Sequence, residues 1–174
     1  MNSKKTKLIT LTALLTAFTT VSTMIIRIPT PTKGYVNLGD CLVNISAWLL
    51  GPVYGAAAAG IGSALADVFS GYIVYALATL IIKGAMAVAS YNIYHVISKN
   101  KDSLTGKIFG ALAAEIIMIG GYFIFESILY GSFAVAALGI VGNIAQGIMG
   151  IASSVVVYEA IIKRIPKITQ NKLR

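Results

Sequence analysis

The stretch VYALATLIIKGAMAVASYNIYHVI, residues 74–97, decides the fold. It is longer than the ~20 apolar residues that a helix needs to cross a bilayer core of ~30 Å. Lys83 is its only Lys, Arg, Asp or Glu. Ionisable groups inside a span are costly, and they are usually paired or functional. The segment therefore reads as a transmembrane helix with one buried amine to account for.

Five more apolar segments surround it, at roughly 8–28, 36–50, 53–69, 104–126 and 134–162. Residues 36–50 and 53–69 are short for full spans, and only Gly51-Pro52 separates them. Proline is tolerated in the first turn of a helix, so Pro52 is expected to open a helix after a tight hairpin. Pro29-Thr30-Pro31-Thr32-Lys33-Gly34 reads as a loop, and Lys99 to Ser103 is the clearest hydrophilic connection. The expected architecture is all-α: one integral membrane domain over residues 1–174, a bundle of six transmembrane helices.

Composition supports this. The chain is 57% hydrophobic and 11% charged, with a mean hydropathy of +0.82. A soluble domain carries about 25% charged residues, so the polar surface here is too small to cover a globule in water. Six spans leave no room for a soluble catalytic domain. The net charge of +8 would suggest nucleic acid on a soluble chain, but here topology accounts for it and no nucleic-acid partner is expected. With the N-terminus inside, Lys4, Lys5, Lys7, Lys99, Lys101, Lys107, Lys163, Arg164, Lys167, Lys172 and Arg174 face the cytoplasm. Only Arg27 and Lys33 fall outside, a strong positive-inside bias. Both termini are then cytoplasmic and the chain is multi-pass in the cell membrane. The basic start resembles a signal peptide, but no small-x-small cleavage site follows, so the first helix is read as uncleaved.

The polar residues within spans cluster by depth. Asp40, Asp67, Lys83, Glu126 and Asn143 belong to the outer half, and Tyr35, Asn37 and Tyr75 mark the same side. Tyr72, Tyr122 and Tyr130 lie there too, while Gln146 is a turn deeper and Glu115 is mid-span. Together they describe an outward-facing polar pocket with aromatic walls, suited to a small, flat, polar molecule. Tyrosine stacks on rings and donates hydrogen bonds; carboxylates and amides meet hydroxyls and ring nitrogens. Tyr35, Asn37, Asp40, Asp67, Tyr75, Lys83, Glu126 and Asn143 are the candidate substrate-binding residues. Each also has a structural reading: tyrosines anchor helix ends at membrane interfaces, Lys83 neutralises Asp67 or Glu115, and Asp40 caps a helix.

Ala13 and Ala17 place a flat small-residue strip on a first helix otherwise rich in Leu, Ile and Thr. Small residues at this spacing let helices approach closely in lipid, so the strip is a candidate docking face for a partner helix. Gly51/Gly55, Ala59/Ser63 and Gly106/Gly110 repeat the spacing and read as internal packing. No G-x-x-x-x-G-K-[S/T] phosphate loop is present. The single His and Cys41 leave little for zinc and nothing for a disulfide framework. Three classes stay open from the residues alone. They are a ligand-capturing transport subunit, an intramembrane enzyme using Glu115, Lys83 and Asp67, and an assembly subunit.

The order of motifs narrows them. Gly34-Tyr-Val-Asn-Leu-Gly-Asp40 precedes Leu49-Leu-Gly-Pro-Val-Tyr-Gly55, Gly60-Ile-Gly-Ser-Ala-Leu-Ala-Asp67, Ser70-Gly-Tyr72 and Leu80-Ile-Ile-Lys-Gly84. This order resembles the substrate-binding (S) components of energy-coupling factor (ECF) vitamin transporters, most of all the hydroxymethylpyrimidine or pyridoxine branch. The resemblance implies a six-helix bundle that captures a vitamin under the loop between its first two helices. Riboflavin, pantothenate and a thiamine precursor are the neighbouring substrates. It further implies partners: a transmembrane coupling subunit, docked through Ala13 and Ala17, and two ATPase subunits that use the ATP. The chain itself would carry no cofactor and no metal. Where the family commonly has Tyr-Ala-Pro, this chain reads Tyr75-Ala76-Leu77.

Overall fold

A computed structural model describes residues 3–30, 33–99 and 101–164. Helix α1 is Ser3–Ile25. Two short strands, β1 (Arg27–Pro29) and β2 (Tyr35–Asn37), pair antiparallel with Ile28 opposite Val36. The helices α2 (Gly39–Phe69), α3 (Ile73–Ser98), α4 (Leu104–Tyr130) and α5 (Phe133–Ala160) follow, and a 3-10 turn closes at Ile162–Arg164.

The six expected helices are five. Five helices are long and apolar enough to cross a membrane among the described residues. Segments 36–50 and 53–69 are arms of the single element α2, and one residue explains why. Gly51 sits at φ 81°, ψ −176° in an otherwise helical run, with Pro52 directly after it. Only glycine takes such a φ without strain, so the chain turns within one residue and no loop is needed. The turn is sharp. A Cβ added at Gly55 would lie 2.8 Å from the Ala47 Cα and from the Ser46 carbonyl oxygen. In a straight helix those residues would be about 12 Å apart. The first arm, residues 39–50, is about 18 Å long at 1.5 Å per residue, short of the ~30 Å that a span requires.

The bend fixes the layout. Both ends of α2 lie at one end of the bundle, where the Tyr35 hydroxyl meets Asp67. The bend lies toward the other end, where the Trp48 ring packs on Tyr94 and Tyr158. Helix α1 rises beside the second arm, with the Thr20 hydroxyl donating to the Gly62 carbonyl at 2.8 Å. The start of α1 and the end of α5 consequently share the basal end. Lys5, Lys7, Lys99, Lys101, Lys107, Lys163 and Arg164 collect there, against Arg27 and Lys33 at the pocket end. Lys167, Lys172 and Arg174 lie outside the described residues, and so do Pro31 and Thr32 of the expected loop.

The basal end is closed by charge. Lys107 is fully buried; its ammonium reaches Asp102 at 2.6 Å and Glu159 at 2.5 Å, under the Tyr158 ring at 4.0 Å. Burial alone would raise the Asp102 carboxyl, but hydrogen bonds and charge from Lys107 and Lys163 outweigh it and hold it below its usual value. Gly106 and Gly110 press on α3, where added Cβ atoms would meet the Tyr94 and Ser90 carbonyls at 3.0 and 2.5 Å. That pair is internal packing. Ala13 and Ala17, in contrast, are exposed on α1. Helix α3 runs unbroken through Tyr75-Ala76-Leu77.

Candidate functional site

The β1–β2 ribbon takes in the end of the first expected helix and the start of the second, and it positions the first two site residues. Alternation along β2 sends Tyr35 and Asn37 to the same face. Asn37 is pinned twice. Its backbone N–H donates to Gln146 Oε1 of α5 at 2.8 Å, and its Oδ1 accepts from the Gly39 N–H at 2.8 Å. The Tyr35 hydroxyl donates to Asp67 Oδ1 at 2.6 Å. Burial, then the Asp67 charge, pushes the Tyr35 phenol well above its ordinary value, so it stays a donor. The ribbon thus covers the end of the bundle and is tied to both α2 and α5.

Beneath it lies a small polar cavity, partly open to that end. Thr23 and Thr30 line one side, with Gly34, Tyr35 and Asn37 of the ribbon above. Ser63 and Asp67 come from α2; Tyr75, Thr79 and Lys83 from α3; Tyr122 and Glu126 from α4; Asn143 and Gln146 from α5. Several of these groups meet across the space. The Tyr75 hydroxyl donates to Glu126 Oε1 at 3.3 Å and lies 3.2 Å from the Tyr130 hydroxyl. Thr79 and Tyr122 share a hydrogen bond at 3.0 Å. Asn143 makes no side-chain hydrogen bond among the described residues, and Asp67 Oδ2 is buried without a partner.

Seven of the eight residues expected at the site line this cavity. Asp40 does not. It is wholly buried just below, where its Oδ1 takes the Lys83 ammonium and its Oδ2 accepts from Gln146 Nε2 at 2.6 Å. Lys83 therefore pairs with Asp40, not with Asp67 or Glu115. The reason is helix rotation: Asp40 opens the first arm of α2 and faces α3, whereas Asp67 ends the second arm and faces the ribbon. Thr23, Thr30, Gly34, Ser63, Thr79 and Tyr122 were not chosen from the sequence, and neither was Gln146. A signal for several was present. Ser63/Asp67, Tyr75/Thr79/Lys83 and Tyr122/Glu126 are spaced by four, and Asn143/Gln146 by three, which puts each set on one helix face.

A second polar layer continues downward. Asn44 Nδ2 donates to Glu115 Oε1 at 3.3 Å, the Ser90 hydroxyl donates to Asn44 Oδ1 at 2.8 Å, and Trp48 Nε1 donates to Ser90 at 3.0 Å. Glu115 is buried here, outside the cavity lining, with the Gly147 and Gly150 backbones against it. His95 stacks on Tyr91 with ring centroids 5.5 Å apart, away from the cavity.

The arrangement can hold a small polar ring by hydrogen bonds and aromatic contact. Among the described residues, no cluster of three or more His, Cys, Asp or Glu side chains could hold a metal ion.

The family model described as "ECF-type riboflavin transporter, S component" matches residues 3–163. A protein from Pyrococcus woesei, described as an uncharacterized protein in the gap 3′ region, is 40% identical over 133 residues. Those residues are 76% of this chain and 86% of that protein. Among solved structures, the S component of a bacterial ECF transporter superimposes with a TM-score of 0.74. It is 24% identical, and the match covers 91% of this chain and 97% of that one; at this identity the likeness speaks for the fold.

Proposed function

We propose that this chain, which belongs to the family of ECF-type riboflavin transporter S components, captures a single-ring vitamin of pyridoxine or hydroxymethylpyrimidine type in the ribbon-covered cavity. Family and fold are those of transport subunits, and the apolar helices suit a multi-pass membrane protein. S components bind a small vitamin and work with a transmembrane coupling subunit and an ATPase module. The ligand, its contacts and the docking face are our reading.

The observation that carries the ligand is the cavity itself. Hydroxyls, amides and two carboxylates converge beneath the ribbon, and tyrosines supply the walls. Contacts across the space, Tyr75 to Glu126 and Thr79 to Tyr122, narrow it and favour a small single ring over a larger one. Tyr35, Asn37, Asp67, Tyr75, Lys83, Glu126 and Asn143 are the proposed contacts, with Asp40 acting through Lys83. Riboflavin is the second reading, favoured by the family's description; it would require those cross-cavity pairs to part. The cavity would face outward and both termini the cytoplasm, because the cations collect at the opposite end. Exposed Ala13 and Ala17 would receive the coupling subunit, and ATP would be hydrolysed only by the partner ATPases.

Native mass spectrometry of the detergent-purified chain should show a retained small molecule. Calorimetry against pyridoxine, hydroxymethylpyrimidine and riboflavin should then rank the three. Binding of riboflavin alone would replace the leading ligand by the second. Binding of none would overturn vitamin capture.

A further inference from the structure

We infer that Asp67 sets the chemical class of the ligand: the cavity takes a neutral or cationic ring that presents an N–H or O–H donor, and it rejects phosphorylated or carboxylated forms. This rests on reading the cavity as the vitamin site. The argument begins with a count of charge. Among the described residues, Lys83 is the only cationic side chain lining the cavity, and its ammonium is held against Asp40 beneath. The Asp67 carboxylate stands on the wall, apart from that pair. A ligand entering this space meets the Asp67 carboxylate, while the Lys83 ammonium is already paired.

Asp67 goes further than a charge count. Its side chain is 3% exposed; Oδ1 accepts from the Tyr35 hydroxyl, and Oδ2 has no hydrogen-bond partner. A buried carboxylate oxygen without a donor is destabilised until one arrives. Tyr35 belongs to the covering ribbon, so the same carboxylate holds the cover with one oxygen and offers the other to the cavity. An amino, amidine-like or hydroxyl hydrogen on the ligand completes it. A phosphate, carrying about −1.5 to −2 charges at neutral pH, would instead bring like charge against the buried Asp67 carboxylate.

Calorimetry decides this with matched pairs: pyridoxine against pyridoxine 5′-phosphate, hydroxymethylpyrimidine against its phosphate, and riboflavin against its 5′-phosphate. On wild-type protein each free form should bind at least about 100-fold more tightly than its phosphate, because like charges brought together are strongly disfavoured. Asp67→Asn should weaken the free form about tenfold or more, leave the phosphate unweakened, and so narrow the ratio. A wild-type ratio within threefold overturns the inference, and so does a ratio unchanged in Asp67→Asn. Tyr35→Phe, which keeps the carboxylate, should preserve the ratio and shows whether loss of the ribbon contact alone mimics the effect. If no vitamin binds, 4-aminopyrimidine and inorganic phosphate serve as bare donor and anion probes in thermal-shift measurements. Stabilisation by 4-aminopyrimidine that disappears in Asp67→Asn, with none from phosphate, would sustain the inference while vitamin capture fails. No response to 4-aminopyrimidine would overturn both.

Discussion

Replacing Lys83 by Met removes the ammonium from a pair that is 1% and 0% exposed on its two sides. Asp40 is left buried, with Gln146 Nε2 as a donor at 2.6 Å and the Glu115 carboxyl beside it. Taking one partner from a buried ion pair costs about 3–5 kcal/mol, because the other charge cannot be rehydrated. At roughly 2–4 °C per kcal/mol for a chain of this size, the unfolding midpoint in detergent should fall by about 6–20 °C. The double variant Lys83→Met/Asp40→Leu behaves differently. Exchanging a buried pair for apolar groups is often near neutral, and the remaining loss is the Gln146 amide left without its acceptor, about 1–3 kcal/mol. The double variant should therefore be more stable than Lys83→Met alone, although it carries one more substitution. Scanning calorimetry or tryptophan fluorescence on matched detergent samples measures both. If the double variant is as unstable as the single one, or if Lys83→Met costs under 1 kcal/mol, the pair does not hold the bundle as argued. Ligand titration of the double variant adds a second reading: retained affinity makes Lys83 a structural residue, and lost affinity makes it a contact.

Asn143→Leu should weaken vitamin binding roughly 5- to 150-fold, from about 1–3 kcal/mol for a lost buried hydrogen bond. Its midpoint should stay near wild type, because the amide has no hydrogen-bond partner among the described residues; unchanged affinity in calorimetry would displace the ligand from that wall. Ala13→Leu and Ala17→Leu add bulk on an exposed strip, so uptake in cells should be lost while the isolated subunit still binds. Binding that falls together with uptake would make the strip internal packing. In a background with Cys41 replaced by Ser, a cysteine at Lys33 should react with an impermeant thiol reagent on intact cells, and one at Lys101 should not. Labelling of Lys101→Cys from outside would reverse the orientation. Gly55→Val should destabilise the chain by well over the 1–3 kcal/mol usual for overpacking, since the obstacle at 2.8 Å is backbone; a normal midpoint would mean that the arms of α2 are farther apart.

The apolar segments were legible because hydropathy over ~20 residues is an intrinsic property of the chain. Four of the six correspond to α1, α3, α4 and α5 with shifts at their ends. The other two failed as independent spans for a reason also present in the sequence. Gly51-Pro52 supplies a turn but no loop, and residues 39–50 are too few to cross a membrane. The ribbon was not legible. Arg27–Pro29 and Tyr35–Asn37 are three residues each, and strands so short take their pairing from the helices that bring their ends together, not from β-propensity.

For the site, depth was readable and partnership was not. Counting residues from a helix end at 1.5 Å each puts Asp67, Tyr75, Lys83, Glu126 and Asn143 in the same half of the bundle, and all five line the cavity. Which anion holds Lys83 depends on how α2 is turned about its axis, and that angle follows from packing around the Gly51 bend. Asp40 and Asp67 both sit at the pocket end of α2 and were equivalent by depth. The rotation of the two arms separates them: Asp40 faces α3 and α5 inside the bundle, and Asp67 faces the ribbon. One carboxylate becomes the counter-ion of the buried lysine and the other keeps an oxygen for a ligand. That division of roles follows from the packing of both arms against α3, α5 and the ribbon, which a reading of depth alone does not contain.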